Sequence, residues 1–315
     1  MSNLRRPKVI SLGVHIVDVL GWPVTELPAG QGRIVLDDIA MTAAGTAAGT
    51  SVDLAELGVD VEAIGVVGDD LLGRFLRTTL EQRGVNCSAL RIRPGAHTAA
   101  TILPIRPNGD RPAMHFPGAN PLMTLDDVDL DRVAQADALH VGGPDALGGF
   151  LDDGVGEVLK VARQYGLLTT MDVLSPCSPR IWERLAPSMA DVHCFLPNEE
   201  QLQNLTGEDN LDRAAATVLE AGAGAVVVTT GACGASLYST DGRRDFPSIP
   251  VDVIDTTGCG DAVSAGVLTG LLEERSIEEA VQLGMACAAL VAERLGSDPA
   301  IQGRSQLDEF VASHV

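Results

Sequence analysis

A short segment near the C-terminal end of the chain combines residue types that could hold and transfer an anion. The turn DTTGCGD spans residues 255–261 and ends on Asp261. Alternating β-branched residues at 249–254 predict a strand before it, and apolar residues at helical spacing over 262–273 predict a helix after it. Because free N–H groups at a helix start attract anions, an aspartate there is poorly placed to hold a phosphate. It is well placed to accept a proton beside one.

Composition narrows the class of protein around this turn. The chain has 315 residues, of which 45% are hydrophobic, enough to bury one large α/β core or two smaller ones. No run of about 18 apolar residues predicts a membrane span, and the first residues lack the pattern of a signal peptide. The six cysteines form no Cys-x-x-Cys pair, which favours a cytoplasmic protein with reduced thiols.

The charged residues argue against further classes of protein. A net charge of −21 argues against a nucleic-acid partner, since phosphate contacts need clustered cations. The two lysines, Lys8 and Lys160, lack the Gly-Lys-Ser/Thr context of a P-loop. Neither a Gly-x-Gly-x-x-Gly after a strand nor a His-Arg-Asp loop occurs, so dinucleotide-binding and protein-kinase folds are disfavoured.

Strand-like and helix-like runs alternate along most of the chain. This alternation predicts an α/β fold with a mainly parallel central sheet flanked by helices on both faces. The expected strands include 9–14, 60–68, 138–141, 167–173 and 225–231, and the expected helices include 46–57, 71–82, 152–165, 199–205 and 213–222.

Two segments, approximately 14–40 and 97–118, interrupt the alternation. The first is rich in proline and glycine, and the second contains the hairpin signal Asn108-Gly109 between two strand-like runs. Together they predict a small β-sheet that covers one edge of a single domain spanning 1–315, as a lid that excludes water from a site. The alternative is a pair of surface hairpins.

Six segments resemble, in order, the ribokinase-like (PfkB) carbohydrate kinases. The turn resembles the family signature Asp-Thr-x-Gly-Ala-Gly-Asp, with Cys259 in place of alanine. The segment GVHIVDVLG looks like the family's first strand, which ends in a substrate-binding aspartate, here Asp18. The other similar segments are AAGTAAGTSVDLAELG with its continuation GVVGDDLLGRFLRTTLEQRGVN, LPNEEQLQNLTG, VVVTTGACGA and CAALVAERLGS. The resemblance covers nearly the whole chain and implies a ribokinase-like fold.

The resemblance also implies roles for individual residues. Asp261 matches the base that takes a proton from a sugar hydroxyl, and the backbone of Gly258, Cys259 and Gly260 matches the anion hole for the γ-phosphate of ATP. Taken alone, Asp261 is more simply interpreted as an ordinary N-cap or first-turn aspartate, and the turn glycines and the order of the six segments favour the base. The other implied site residues are Asp18, Gly45, Thr46 and Gly49 for the sugar, and Asn198, Thr229, Gly231 and Gly234 for ATP and Mg²⁺.

The family resemblance further implies a monovalent cation, commonly potassium. Asp255, Thr257, Gly296 and Ala300 match its ligands. A second interpretation is that Asp255 only caps the turn through Thr257.

Several residues depart from the family pattern. Gly49 stands where the family has a substrate-binding asparagine, which implies a bulkier substrate or one held differently. Gln201 replaces the glutamate that organises magnesium, and either its carbonyl oxygen or Glu200 could substitute. The usual Asp-x-Asn-x-Arg near Asp172 is also lost, with Arg180 the nearest candidate for its arginine.

The leading expectation is an ATP-dependent, magnesium-requiring kinase of a small sugar, dimeric through its lid. A nucleoside kinase of the same fold and a non-catalytic sugar- or nucleotide-binding relative are the alternatives.

Arg106 and Arg111 flank the hairpin turn. If their side chains were directed into the site, they would hold a carboxylate or phosphate of the substrate. Arginines at a hairpin tip are more often solvated.

Overall fold

The computed structural model describes residues 5–175, 177–296 and 301–314. Its strands are β1 Lys8–Gly13, β2 Ile16–Trp22, β3 Asp38–Ala44, β4 Asp60–Gly68, β5 Leu90–Arg93, β6 Ala100–Pro104, β7 Met114–Phe116, β8 Ala138–Gly142, β9 Leu168–Met171, β10 Cys194–Phe195, β11 Ala225–Thr229, β12 Ala235–Ser239 and β13 Gly242–Phe246. Its helices are α1 Thr46–Glu56, α2 Leu71–Gln82, α3 Leu130–Ala134, α4 Phe150–Asp153, α5 Val155–Gln164, α6 Pro179–Leu185, α7 Glu199–Thr206, α8 Leu211–Glu220, α9 Cys259–Leu272, α10 Ile277–Ala292 and α11 Arg304–His314.

Nine of the strands form the central sheet, in the order β13-β12-β11-β10-β9-β8-β1-β4-β5. The pairs from β11 to β5 are parallel, whereas β12 and β13 are added antiparallel at one edge. The buried strands are nearly continuous apolar runs, as a sheet covered on both faces requires. The predicted mainly parallel sheet is confirmed.

Helices cover both faces of this sheet and bury separate hydrophobic clusters on each face. Ile10 and Leu12 of β1 belong to the core under α5 to α8, while Val9 belongs to the core under α1, α2, α9, α10 and α11. Alternate residues of one strand thus face opposite layers, as the period of two in a strand dictates.

Glycines set how closely α9 and α10 approach each other. A Cβ atom added at Gly266 of α9 would lie 2.6 Å from the Cα of Gly284 in α10. Only residues without a side chain allow this contact. The two helices therefore pack backbone to backbone, and α9 has a well-defined position beneath the sheet.

The other four strands form a separate small sheet in the order β3-β2-β6-β7. The two interrupting segments of the sequence therefore come together, and the predicted smaller sheet is confirmed. The β6–β7 connection contains the Asn108-Gly109 turn, where Gly109 has a φ of 85° and donates its N–H to the Arg106 carbonyl at 2.9 Å.

Three local expectations are wrong. Residues 249–254 form no strand: Pro250 has no N–H for a ladder, and the Ile254 N–H donates instead to the Ala292 carbonyl at the end of α10 (2.8 Å). Asp18 does not end the first strand, because the chain leaves the central sheet after Gly13 and Asp18 lies within β2. The helix expected over 152–165 is divided at Gly154, a residue type with poor helix propensity.

None of the helices in the described ranges is long and apolar enough to span a membrane.

Candidate active site

A cavity of about 710 Å³ opens where the carboxyl ends of the central strands meet the small sheet. Parallel α/β sheets commonly bind ligands at this edge. Most of the predicted site residues line it together: Asp18, Gly45, Thr46, Asn198, Thr229, Gly231, Gly234, Thr257, Gly258, Cys259, Gly260 and Asp261. Gly49, Asp255 and Gly296 do not line it, and Ala300 lies outside the described residues.

The N-terminus of α9 forms one wall of the cavity. Gly258 precedes the helix with a φ of 84°, a left-handed conformation that favours glycine. The Cys259 N–H donates to the Thr256 carbonyl at 3.3 Å. The N–H groups of Gly258, Gly260 and Asp261 donate to no acceptor in the part of the chain that the structure describes. They can therefore receive an anion, with the helix dipole in support.

Asp261 lies in the first turn of α9, half-buried at the edge of the cavity. Burial raises its pKa well above the usual range; the negative charges of Asp172 and Asp53 add to this effect, and the positive charge of Arg111 opposes it. No donor within the described residues hydrogen-bonds its carboxylate. A carboxylate with a raised pKa and a free lone pair is suited to general base catalysis.

Two buried acidic groups near Asp261 were not recognised as site residues from sequence. Burial raises the pKa of Asp172 to about 7, and its Oδ1 accepts the Gly143 N–H at 3.0 Å. Its Oδ2 is 3.6 Å from Nε2 of His140, whose pKa burial lowers to about 4. Since His140 is neutral at pH 7, this contact is not an ion pair there.

The second buried acidic group is Asp53, on the face of α1 that packs against α9. Its side chain is almost inaccessible, and burial raises its pKa to about 8. It has no hydrogen-bond partner among the described residues. The sequence signal for Asp53 was weak, because its neighbours on the helix face include Gly49, Thr50 and Glu56, a mixed surface that does not predict burial.

At the end of the cavity beneath the small sheet, Asp18 projects from β2 beside the start of α1. Burial raises its pKa to about 6. Gly45 precedes α1 with a φ of 90°, and a Cβ there would lie 2.7 Å from the Val14 carbonyl oxygen. Glycine is thus required at the position that brings Thr46 to the cavity.

The two hairpin arginines have different surroundings. Arg106 donates to the carbonyls of Val24 and Thr25 and thereby links the hairpin turn to the segment that follows β2. Arg111 enters the cavity and donates to Oγ1 of Thr257 at 3.2 Å. It is the only lysine, arginine or histidine among the described residues that line the cavity. Arg180, by contrast, is exposed on α6 and lies outside the cavity lining.

Asp255 is fully buried directly behind the turn. Its Oδ1 accepts the N–H and the hydroxyl of Thr257 at 3.0 and 2.8 Å, and its Oδ2 accepts the Gly296 N–H at 2.9 Å. These bonds support the capping interpretation of Asp255. They also bring three of the four residues predicted for the monovalent cation together.

The predicted magnesium motif starts α7. Asn198 and Gln201 form a capping box, in which each side chain accepts the other's N–H at 2.8 Å. The Gln201 amide also donates to the carbonyls of Val173 and Leu174. Glu200 is exposed and lies outside the cavity lining. This motif therefore offers Mg²⁺ no direct carboxylate ligand, and the site fits the ion only as a hydrated complex with phosphates.

The opposite end of the cavity is lined by the three residues Thr229, Gly231 and Gly234 that were expected to bind ATP. Thr229 ends β11, and Gly234 follows with a φ of 102°; a Cβ there would lie 2.0 Å from the Phe246 carbonyl oxygen. An apolar wall faces this turn, formed by Val251, Val253, Met285, Ala288, Ala289 and Ala292. Sequence reasoning missed this wall, although the spacing of the last four residues along α10 could have indicated it.

Comparisons with known proteins agree with this geometry. A family model described as pfkB family carbohydrate kinase matches residues 9–302. The chain is 24% identical to probable fructokinase-4 of Arabidopsis thaliana over 98% of each protein. It is 28% identical to the ATP-dependent ribose-1-phosphate kinase of Halopiger xanaduensis over 92% of this chain and 93% of that one. The crystal structure of a putative ribokinase II from E. coli in complex with ATP and Mg²⁺ matches with a TM-score of 0.84 at 22% identity, over 98% of this chain and 100% of that chain.

Replacing Asp255 by alanine tests whether its hydrogen bonds hold the turn. The variant leaves the N–H groups of Thr257 and Gly296 without their acceptor, so we expect the free energy of unfolding to fall by about 2 kcal/mol or more. Chemical denaturation measures this change. Asp252→Ala, at an exposed position three residues earlier, is the matched control and should change it by less than about 0.5 kcal/mol. Equal effects of the two substitutions would contradict the assignment.

Proposed function

The chain belongs to the pfkB family of carbohydrate kinases, phosphotransferases with an alcohol group as acceptor, and we propose that it transfers the γ-phosphate of ATP to a hydroxyl of a small sugar. One observation carries the proposal. The unbonded carboxylate of Asp261 and the free N–H groups at the start of α9 face the same cavity. A base and an anion site next to each other are what phosphoryl transfer to a hydroxyl requires.

The residues of the cavity have distinct parts in this reaction. Asp261 accepts the proton of the sugar hydroxyl as its oxygen forms a bond to the γ-phosphorus and the bond to the leaving ADP oxygen breaks. The N–H groups of Gly258 and Gly260 receive the charge of the transferring group, while Asp18, Gly45 and Thr46 orient the sugar. Thr229, Gly231 and Gly234 hold the nucleotide, against the apolar wall. Magnesium bound with ATP neutralises phosphate charge.

We also propose that the segments 14–40 and 97–118 act as the lid of a single domain. The hydrogen bond from Arg111 to Thr257 supports this role, because it links the small sheet to the turn that precedes α9. A lid in this position would exclude water from the transferring phosphate.

A second candidate acceptor is an anionic sugar. The observation that favours it is Arg111, since its charge can pair with a phosphate or carboxylate on the acceptor. The relative named as a ribose-1-phosphate kinase supports the same idea. A nucleoside acceptor and a non-catalytic binding protein are the remaining alternatives, and the measurements below separate them.

Three further features of the enzyme are proposals. A potassium site is proposed at Asp255, because its fully buried carboxylate brings a negative charge beside Thr257 and Gly296, two of the other residues expected to bind the cation. All six cysteines are free thiols, which supports a cytoplasmic location. The small sheet exposes the apolar side chains of Ile39, Met41, Ile102, Met114 and Phe116, which supports a homodimer through this sheet.

Asp261→Asn tests the proposed base. We expect kcat to fall by about 10²–10⁴-fold with little change in the KM of ATP, because the amide cannot accept the proton. ADP release is measured with Mg²⁺ and a panel of sugars, sugar phosphates and nucleosides. Asp252→Asn, at the exposed position used above, should retain full activity. Turnover on nucleosides alone would favour a nucleoside kinase, and ATP binding without turnover would favour the non-catalytic protein.

The pH dependence of kcat/KM provides a second test of Asp261. A base must be ionised to act, and the pKa of this carboxyl is raised. Turnover should therefore be lost as pH falls through a value well above the usual aspartate range of about 4. An acidic limb at or below pH 4 would contradict the proposed base.

Arg111→Ala separates the two acceptor classes. If Arg111 binds an anionic acceptor, the KM of sugar phosphates should rise at least about tenfold while that of neutral sugars is unchanged. Arg33→Ala, at an exposed position in the other lid segment, is the control. A uniform fall in kcat for all acceptors would instead place Arg111 on the transferring phosphate.

Ile102→Glu tests the homodimer. Placing a charge on the exposed apolar face of the small sheet should convert a particle of twice 32.8 kDa into the monomer in sedimentation velocity. Leu71→Glu, at an exposed apolar position on α2, should leave the assembly unchanged. A wild-type monomer would contradict the proposed dimer directly.

A further inference from the structure

The carboxylate of Asp261 packs against the backbone of α1 at Gly49, a position that has no side chain. Gly49 is a buried residue of α1, and a Cβ atom added there would lie 2.1 Å from Oδ2 of Asp261 and 2.8 Å from its Cγ. Both distances are shorter than any tolerated contact. The carboxylate therefore occupies the space that the side chain of any other residue at position 49 would fill.

A catalytic side chain is normally oriented by hydrogen bonds, and here the contact with Gly49 takes that role. No donor in the described parts of the chain bonds the Asp261 carboxylate. Its backbone is anchored, because the Thr50 hydroxyl lies 3.4 Å from the Asp261 carbonyl oxygen. The direction of the carboxylate itself is limited by the surface of α1 at Gly49.

The same contact corrects an expectation from the sequence. Glycine at position 49 was expected to leave room for a bulkier substrate, but Gly49 does not line the cavity. The Asp261 carboxylate occupies this space, so the absence of a side chain at position 49 affects the position of that carboxylate rather than the room for a substrate.

We propose that Gly49 is the positioning residue for Asp261, and that its missing side chain allows the carboxylate to lie against α1 in the conformation that accepts the substrate proton. This inference rests on the proposed kinase function. Alanine at position 49 would displace the carboxylate from α1 towards the cavity. Displacement of a catalytic group by about 1 Å can cost about 10²-fold in rate.

The surroundings of Asp261 predict a second effect of that displacement. The charged groups that face its carboxylate are Asp53 of α1, Asp172 after β9, Asp18 of β2 and Arg111 of the small sheet. Moving it into the cavity exposes it to more solvent and takes it away from Asp53, while Asp18 and Asp172, which also line the cavity, stay near it. Because burial is the main reason that its pKa is raised, the pKa should fall and the acidic limb of activity should move to lower pH.

Gly49→Ala and Gly156→Ala form a matched pair of variants. Both glycines are inside helices, but a Cβ at Gly156 of α5 meets only Oγ of Ser188, at 3.4 Å. For Gly49→Ala we expect kcat to fall about 10–100-fold, the KM of ATP to stay unchanged, the acidic limb to move to lower pH and the melting temperature not to fall. Gly156→Ala should match the wild type in kcat and pH profile.

Two results would overturn the inference. One is Gly49→Ala activity equal to that of Gly156→Ala. The other is a loss of activity that accompanies a lower melting temperature with an unmoved acidic limb, which indicates a structural role only.

A measurement without turnover separates this inference from the kinase proposal. The Asp261 carboxyl can be titrated by ¹³C NMR in wild type and Gly49→Ala, with Asp261→Asn to assign its resonance. A lower pKa in Gly49→Ala supports the positioning contact even if no acceptor is phosphorylated, and an unchanged pKa overturns it. Absence of turnover in the wild type would count against the kinase function alone.

Discussion

The site depends on keeping the N-terminus of one helix open to the cavity. The N–H groups of Gly258, Gly260 and Asp261 have no acceptor in the described chain, and a helix end left in this way is costly unless water or a ligand satisfies it. The structure stabilises this end from behind. Gly266 and Gly284 fix α9 against α10, and Asp255 ties the preceding turn to the chain at Gly296. Each contact leaves the free N–H groups facing the cavity.

Around this positive helix end the chain concentrates negative charge. Asp18, Asp172 and Asp261 line the cavity with a single cation, Arg111, among the described lining residues, and Asp53 lies behind them. Burial is the main reason that the pKa values of all four carboxyls are raised, and the negative charge of neighbouring carboxylates adds to the effect. Such a cluster lowers stability at neutral pH, because each group ionises more easily in the unfolded chain. Carboxyls with raised pKa values are typical of functional sites, because they can exchange a proton closer to neutral pH than an ordinary aspartate can.

The sequence predicted those features that depend on the periodicity of apolar residues and on the order of the family segments. The parallel sheet, the small sheet and the gathering of distant site residues all follow from the alternation of elements and from six segments in order. The prediction of a strand at 249–254 was wrong. Alternating β-branched residues do not show whether a neighbouring strand is available for pairing, and this segment hydrogen-bonds to the end of α10 instead of a sheet edge. The direction of Arg111 and the burial of Asp53 depend on contacts between segments far apart in sequence. Periodicity could not predict either.

Both main departures from the family pattern have the same structural outcome. The space left bare at Gly49 is filled by the Asp261 carboxylate, and the amide of Gln201 is used by the Asn198 N–H and the Val173 carbonyl. In both places the altered position is occupied by groups of this chain: a carboxylate fills the space at Gly49, and hydrogen bonds within the chain use the Gln201 amide. The close contact at Gly49 therefore links a departure from the family pattern on α1 to the position of a single carboxylate at the start of α9.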